Sequence, residues 1–175
     1  MDELELAHRL ADAADAITLP AFTRSGLSVS TKSDGSVVTE ADLAAESEIR
    51  RLLTEFAPLD GVVGEEHGVT GVDTRRWFIG PIDGTSSFVA GRPEWATMVA
   101  FEEGERMLAA AVSSPALGRR WHASAGEGSW ASGGGGRMRV SRIAVPELAR
   151  VSAWPPPFRQ KPRWSTVVEG FVRQV

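Results

Sequence analysis

Apolar residues recur at helical spacing over the first two dozen positions. Leu4, Leu6, Leu10, Ala13, Ala14, Ile17 and Phe22 fall on one side of a helix over residues 2–24, with acids early and Arg24 late. Gly26 ends it. Residues 27–32 alternate as a short strand, and Asp34-Gly35 marks a turn. A second helical pattern begins at Thr39, a good N-cap residue, with Asp42 at the third helical position as in a capping box. It runs to about Phe56, with Leu43, Ile49, Leu52, Leu53 and Phe56 expected on one face. Beyond it the period shortens. Val62-Val63 reads as a short buried strand, and residues 69–76 as a polar connection. Trp77-Phe78-Ile79 reads as another strand, which stops at Gly80-Pro81 because proline cannot donate to a sheet ladder. A short helix over 88–91 is closed by Gly91-Arg92-Pro93. Strands over 96–101 and 107–114 form a hairpin joined by residues 102–105, followed by strands over 119–123, 128–131 and 137–140.

Two helices followed by a meander of strands predict an α+β fold, with the helices packed on a mostly antiparallel sheet. The texture changes after Pro146. Residues 151–154 could form a strand, Pro155-Pro156-Pro157 breaks regularity, and 165–175 could open a helix. The expected organisation is a domain over 1–154, then a Pro-rich connection and the start of a further domain over 155–175.

Composition narrows the chemistry. A net charge of -4 argues against a nucleic-acid or anionic-membrane binder, either of which would carry excess Lys and Arg. The absence of cysteine excludes disulfides, zinc–thiolate sites and cysteine nucleophiles. The acidic start Met1-Asp2-Glu3-Leu4-Glu5 is unlike a signal peptide, and no apolar run approaches the ~20 residues of a membrane span. A cytoplasmic location is expected. With only three His (His8, His67, His122), any metal site should be built from oxygen, which suits magnesium, calcium or manganese. His8 and His67 are expected to be ordinary helix and loop residues. The run Gly133-Gly134-Gly135-Gly136 lacks the Lys and Ser/Thr of a P-loop and reads as a hairpin loop.

The candidate chemistry lies at three corners. Asp83-Gly84-Thr85 follows the Trp77 strand: an acid that can hold a metal, a glycine that lets a ligand approach the backbone, and a hydroxyl that can cap a helix and face an anion. On these three residues alone, an ordinary strand–turn–helix corner is the simpler reading. Gly64-Glu65-Glu66-His67-Gly68 sets two carboxylates after a strand, and alternation lets only one face a site. A solvated acidic loop remains open. Thr39 and Asp42 are explained fully by capping, and Asp42 could in addition polarise a hydroxyl or a metal-bound water. Lys32 by itself is a solvated lysine.

The order and spacing of these weak signals resemble the inositol monophosphatase superfamily of magnesium-dependent, lithium-sensitive phosphatases. Val38-Thr39-Glu40-Ala41-Asp42, Gly64-Glu65-Glu66 and Gly80-Pro81-Ile82-Asp83-Gly84-Thr85-Ser86-Ser87-Phe88 carry the resemblance, over roughly residues 2–152. Gly64-Glu65-Glu66-His67-Gly68, Phe88-Val89-Ala90-Gly91-Arg92-Pro93-Glu94-Trp95-Ala96 and Ser113-Ser114-Pro115-Ala116-Leu117 look most like its actinobacterial-type histidinol-phosphate phosphatases. The resemblance implies the first part of an αβαβα layered fold, a phosphate monoester hydrolase, Mg2+ as cofactor, a small phosphorylated metabolite as substrate and a homodimer. It implies that Glu65, Asp83 and the Ile82 carbonyl bind metal, that Thr85 and Asp42 orient the attacking water, that the Gly84 and Thr85 N–H groups with Asp83 cradle the phosphate, and that Lys32 supports the metal-bound waters.

Two departures accompany the resemblance. Gly80 stands where the family keeps a metal-binding aspartate. Family members also continue into a second α/β domain that supplies another acid and most of the leaving-group pocket, and the sequence stops before it. Weak magnesium binding, impaired activity and self-association through uncovered apolar surface are therefore expected.

Overall fold

Asp2 starts the first helix. Its side chain accepts the Glu5 N–H at 2.7 Å, and α1 runs Glu3–Thr23. The computed structural model describes residues 1–33, 35–145 and 148. A two-stranded ribbon follows, β1 (Val29–Thr31) against β2 (Val37–Thr39), and delivers Thr39 to the start of α2 (Glu40–Phe56). There the capping box forms as expected, with the Thr39 hydroxyl accepting from Ala41 and Asp42 N–H while Asp42 Oδ2 accepts the Thr39 N–H at 2.8 Å.

The remaining strands build one eight-stranded sheet. They are β3 (Gly61–Gly64), β4 (Val69–Thr70), β5 (Arg75–Asp83), β6 (Ala96–Glu103), β7 (Arg106–Ser114), β8 (Arg119–Ser124), β9 (Gly128–Ala131) and β10 (Gly136–Met138), in the spatial order β10-β9-β8-β7-β6-β5-β3-β4. Only the β3–β5 pair is parallel, so the sheet is mixed but mostly antiparallel. A third helix, α3 (Thr85–Val89), follows β5.

Helices α1 and α2 cover one face of the sheet. Leu6, Leu10, Ala14, Ile49, Leu52 and Leu53 meet Trp77, Ile79, Val99 and Phe101 there, with the Trp77 and Phe101 rings 4.9 Å apart. Trp77 keeps its polar atom satisfied by donating Nε1–H to Asp60 at 3.0 Å. A smaller cluster of Ala41, Ile82, Phe88 and Trp95 packs beside the β5–α3 corner.

Four local expectations change. Leu43 is 43% exposed, because it lies six residues before Ile49 and so about 120° around the helix from it; Ala41, Ala45 and Glu46 take the buried positions instead. Strand β5 does not stop at Gly80-Pro81 but continues to Asp83. Proline is tolerated there because β3 pairs only as far as Ile79, and the register with β6 slips between Gly80 and Asp83. The Pro81 carbonyl accepts the Thr97 hydroxyl at 2.8 Å. The short helix begins at Thr85 rather than 88, and Val69-Thr70, read as a polar connection, adds an edge strand to β3. The segment Met1–Met138 forms one compact unit. The expected domain boundary at 154/155, the strand over 151–154 and the helix over 165–175 lie outside the described residues.

His8 packs edge-on to His122, ring centroids 4.7 Å apart, where α1 crosses β8. Arg120 beside them pairs with Asp12 at 2.6 Å and Asp15 at 2.7 Å. Burial, then the neighbouring His122 and Arg120, pull the His8 imidazole below its ordinary 6.5, against the weaker opposing pull of Asp12 and Asp2. The unfolded chain therefore takes up a proton on His8 before the folded one does. Stability should fall as pH drops from 6.5 through the lowered folded value. Urea unfolding at pH 7.5 and 5.5 should show this loss, and His8→Gln should reduce the difference.

Candidate active site

The carboxyl ends of the parallel pair β3 and β5 lie side by side, and acidic residues stand at each. From β3 comes the turn Glu65-Glu66-His67. The two carboxylates separate. Glu66 is nearly buried and pairs with Lys32 Nζ at 2.7 Å, whereas Glu65 stays half exposed, 3.8 Å from the same ammonium. From β5 comes Asp83, exposed at the strand's end. Gly80, on β5, lies beside Glu65. A Cβ built on it would stand 3.8 Å from Glu65 Oε2 and 3.6 Å from the Met98 methyl, in ordinary contact, so the position has room for a side chain directed at Glu65.

Helix α2 brings a fourth acid. Asp42 is 1% exposed. Its Oδ2 accepts from the Thr39 N–H and, at 2.5 Å, from the Thr39 hydroxyl, which leaves Oδ1 directed at the Thr85 hydroxyl 3.5 Å away. Thr85 carries one hydroxyl proton and has two acceptors. The nearer is the Ile82 carbonyl at 3.0 Å. Thr85 is thus not the N-cap that its position suggested. Gly84 fills that place in the left-handed conformation, φ +86°, with no side-chain cap. This turn requires glycine twice over, since a Cβ would also meet the Glu94 carbonyl at 2.9 Å. Gly84→Ala should lower stability by about 1–2 kcal/mol and displace α3, as read by thermal unfolding and by the amide shifts of residues 85–89.

The electrostatics are those of several anions sharing one cation. Burial pushes the Glu65 carboxyl up. Lys32 opposes that, and the charges on Glu66, Asp42 and Asp83 add to it. Burial likewise raises Asp42, against the hydrogen bonds from Thr39. Burial pulls the Lys32 ammonium down, but its hydrogen bond to Glu66 and the charges of Glu66, Glu65 and Asp42 outweigh this, and its net direction is up.

Among the described residues, no three His, Asp or Glu side chains gather closely enough to hold one ion. The donors present are nonetheless all oxygen. Glu65 and Asp83 are carboxylates at the rim of the corner, and the Ile82 carbonyl retains a lone pair beside its bond to Thr85. That set fits a hard divalent cation that keeps most of its water, with open space at Gly80 where a further ligand could enter.

The sequence profile of the Inositol monophosphatase family matches residues 2–161. The chain belongs to that family. It is 46% identical over 158 residues to a histidinol-phosphatase of Streptomyces coelicolor, a match covering 87% of this chain and 58% of that protein. It is 45% identical over 153 residues to a histidinol-phosphatase of Mycobacterium tuberculosis, covering 86% and 59%. Among solved structures, an IMPase of Thermotoga maritima superimposes with a TM-score of 0.74 at 31% identity, over 82% of this chain and 56% of that one. The chain therefore spans a little under three-fifths of the curated relatives it matches. Inositol monophosphatase family members use metal ions, consistent with an all-oxygen corner.

The structure thus brings Lys32, Asp42, Glu65, Ile82, Asp83 and Thr85 to one corner, with Gly80 and Gly84 in the adjoining backbone. His67 stays on the loop, and His8 packs against His122 instead. Sequence reading missed Glu46. It is fully buried on α2 and accepts the N–H groups of Glu66 at 2.7 Å and His67 at 3.1 Å. The available signal was a charged residue among Ala45, Ile49 and Leu53 on the helix's apolar face.

Proposed function

We propose that this chain carries the metal- and phosphate-binding half of a phosphate monoester hydrolase of the inositol monophosphatase type, with histidinol phosphate as substrate and Mg2+ as cofactor. The observation that carries the reading is the Asp42–Thr85 contact set beside the paired acids Glu65 and Asp83. The substrate follows from the histidinol-phosphatase relatives. Inositol-1-phosphate is the alternative, drawn from an inositol-1-monophosphatase of Caulobacter vibrioides that is 36% identical over 118 residues.

Glu65, Asp83 and the Ile82 carbonyl would hold the ion, which supplies charge neutralisation and an acidified bound water. The chain's own residues do the rest. Thr85 sets its hydroxyl between the Ile82 carbonyl and Asp42 Oδ1. Turned toward Asp42, it donates its proton there and leaves a lone pair to accept one from the attacking water. Thr39 holds Asp42 in that orientation through Oδ2. The N–H groups of Gly84 and Thr85, at the turn into α3, can meet phosphoryl oxygens beside Asp83. Lys32 offsets part of the negative field. We infer a cytoplasmic location and a homodimer as well; among the described residues no helix is long and apolar enough to cross a membrane.

Gly80 favours a second reading, a non-catalytic relative that binds a phosphorylated metabolite through the α3 end alone. Phosphate release from histidinol phosphate and inositol 1-phosphate, with magnesium and with EDTA, tests the first reading. Slow, magnesium-dependent release supports it. Ester binding by calorimetry without any release moves the chain to the second. Release that EDTA leaves unchanged overturns the metal.

A further inference from the structure

We propose that Glu46 and Arg50 are positioning residues that aim Glu65 at the site, a step that rests on the role given to Glu65 above. Glu65 needs such help. Among the described residues its side chain makes only a long contact with Lys32, 3.8 Å, so its direction depends on the backbone on either side of it.

That backbone is held from below by α2. Glu46 is 0% exposed, and a buried carboxylate is tolerated only when its lone pairs are used. Here they are. Oε2 accepts the Glu66 N–H, Oε1 accepts the His67 N–H and the Arg50 Nε–H at 2.8 Å, and His67 Nδ1 lies 3.4 Å from Oε1. Arg50 spends the rest of its fork on the same turn, donating to the Gly68 carbonyl at 2.5 Å and to the Thr70 hydroxyl at 3.0 Å. Both legs of the turn are thereby tied to one helix.

Gly64 completes the fit on the other side of Glu65. A Cβ there would overlap Glu46 Oε1 and crowd the Arg50 guanidinium, so glycine is what lets the carboxylate slide beneath the strand end. Asp42, Glu46 and Arg50 follow one another at intervals of four, on one face of α2. A single rigid row therefore fixes Thr39 and Thr85 at one step, the Glu65 turn at the next and the turn's far leg at the last. The spacing between the water-orienting pair and the metal acid becomes a property of the helix.

Glu46→Gln tests this. It keeps the shape but loses the charge and one acceptor. Two readouts would not move if Glu46 merely stabilised the fold. In the wild-type protein the Glu65 χ1 couplings should report one rotamer, and in the variant they should average, with faster amide exchange at Glu66 and His67 while β5 and β6 remain protected. Affinity for Mn2+ alone should fall about 10–100-fold. An unchanged Glu65 rotamer in the folded variant overturns the proposal whatever the metal does, and averaged couplings with unchanged Mn2+ affinity also overturn it. A wild-type chain that binds no Mn2+, but whose Glu65 rotamer depends on Glu46, refutes the metal reading and leaves the positioning intact. Should Glu46→Gln fail to fold, Arg50→Lys gives the same readouts, because it keeps a charge near Glu46 but loses the fork onto Gly68 and Thr70.

Discussion

Gly80→Asp should raise the affinity of this chain for Mg2+ or Mn2+ by about 10–100-fold. The backbone there is ordinary strand, paired with Met98 and outside the left-handed region, so an L side chain is accepted without strain. The new Cβ meets nothing closer than 3.6 Å and points toward Glu65. A carboxylate at its end would join Glu65 and Asp83 and give the ion a third acid. In the absence of metal the same change should cost stability, because it adds a charge to a corner where Glu66, Asp42 and Asp83 already push the Glu65 carboxyl up. The signature is therefore a crossover. The variant should melt below the wild type in EDTA and gain more than the wild type when magnesium is added, since binding to the folded state alone stabilises it by mass action. Calorimetric titration with MgCl2, alongside melting with and without EDTA, reads both effects. Gly80→Asn serves as the neutral control. Equal affinities in Gly80→Asp and wild type would sink the metal site assigned to Glu65.

Asp42→Asn should remove both a helix cap and a proton acceptor. The asparagine side chain presents one oxygen where the carboxylate presents two, and Asp42 uses them in different directions, Oδ2 toward Thr39 and Oδ1 toward Thr85. The single oxygen either stays on both Thr39 donors and turns the amide NH2 toward Thr85, or turns to Thr85 and strands both Thr39 donors; with the charge gone in this buried place, either arrangement costs about 1–2 kcal/mol of stability. Any phosphate release should fall about 10²–10⁴-fold, the usual loss when a positioned base is removed. Thr85→Ala separates the two consequences. It deletes the relay to Asp42 but leaves the Thr39 capping box untouched, so release should fall about as far while the unfolding free energy from urea titration stays within about 0.5 kcal/mol of wild type. Parallel loss of stability in both variants would mean that Thr85 matters to the fold rather than to the chemistry.

Much of the fold was legible because its signals are local. The 3.6-residue period of Leu6, Leu10 and Ala14 follows from helix geometry, and Thr39 with Asp42 forms a cap within four residues of chain. The hairpin of β6 and β7 likewise declares itself by alternation around a short acidic turn. Family membership was legible too, because its motifs are short runs at the ends of elements. Errors arose where one element's fate depends on another. Pro81 reads as a strand breaker, yet β5 continues through it because the parallel partner has already ended and the opposite ladder slips. Leu43 reads as core, but the sheet lies under the neighbouring face of α2.

The site divides in the same way. By itself the sequence determined which chemical groups are available: hard oxygen acids without cysteine, a glycine-bearing turn after β5, and a hydroxyl one position later. Those are facts of covalent composition and of local turn chemistry. Only the tertiary structure decided that Glu66 turns to Lys32 while Glu65 stays half exposed, that the Gly80 position opens toward Glu65, and that Asp42 has one oxygen left for Thr85. It alone decided that Glu46, 20 and 21 residues before the amides it holds, is the anion beneath that turn. The physical reason is that hydrogen bonds and like-charge repulsions act over a few ångströms through space. Which side chains come within that range is set when α2 docks on the sheet, not by their order along the chain.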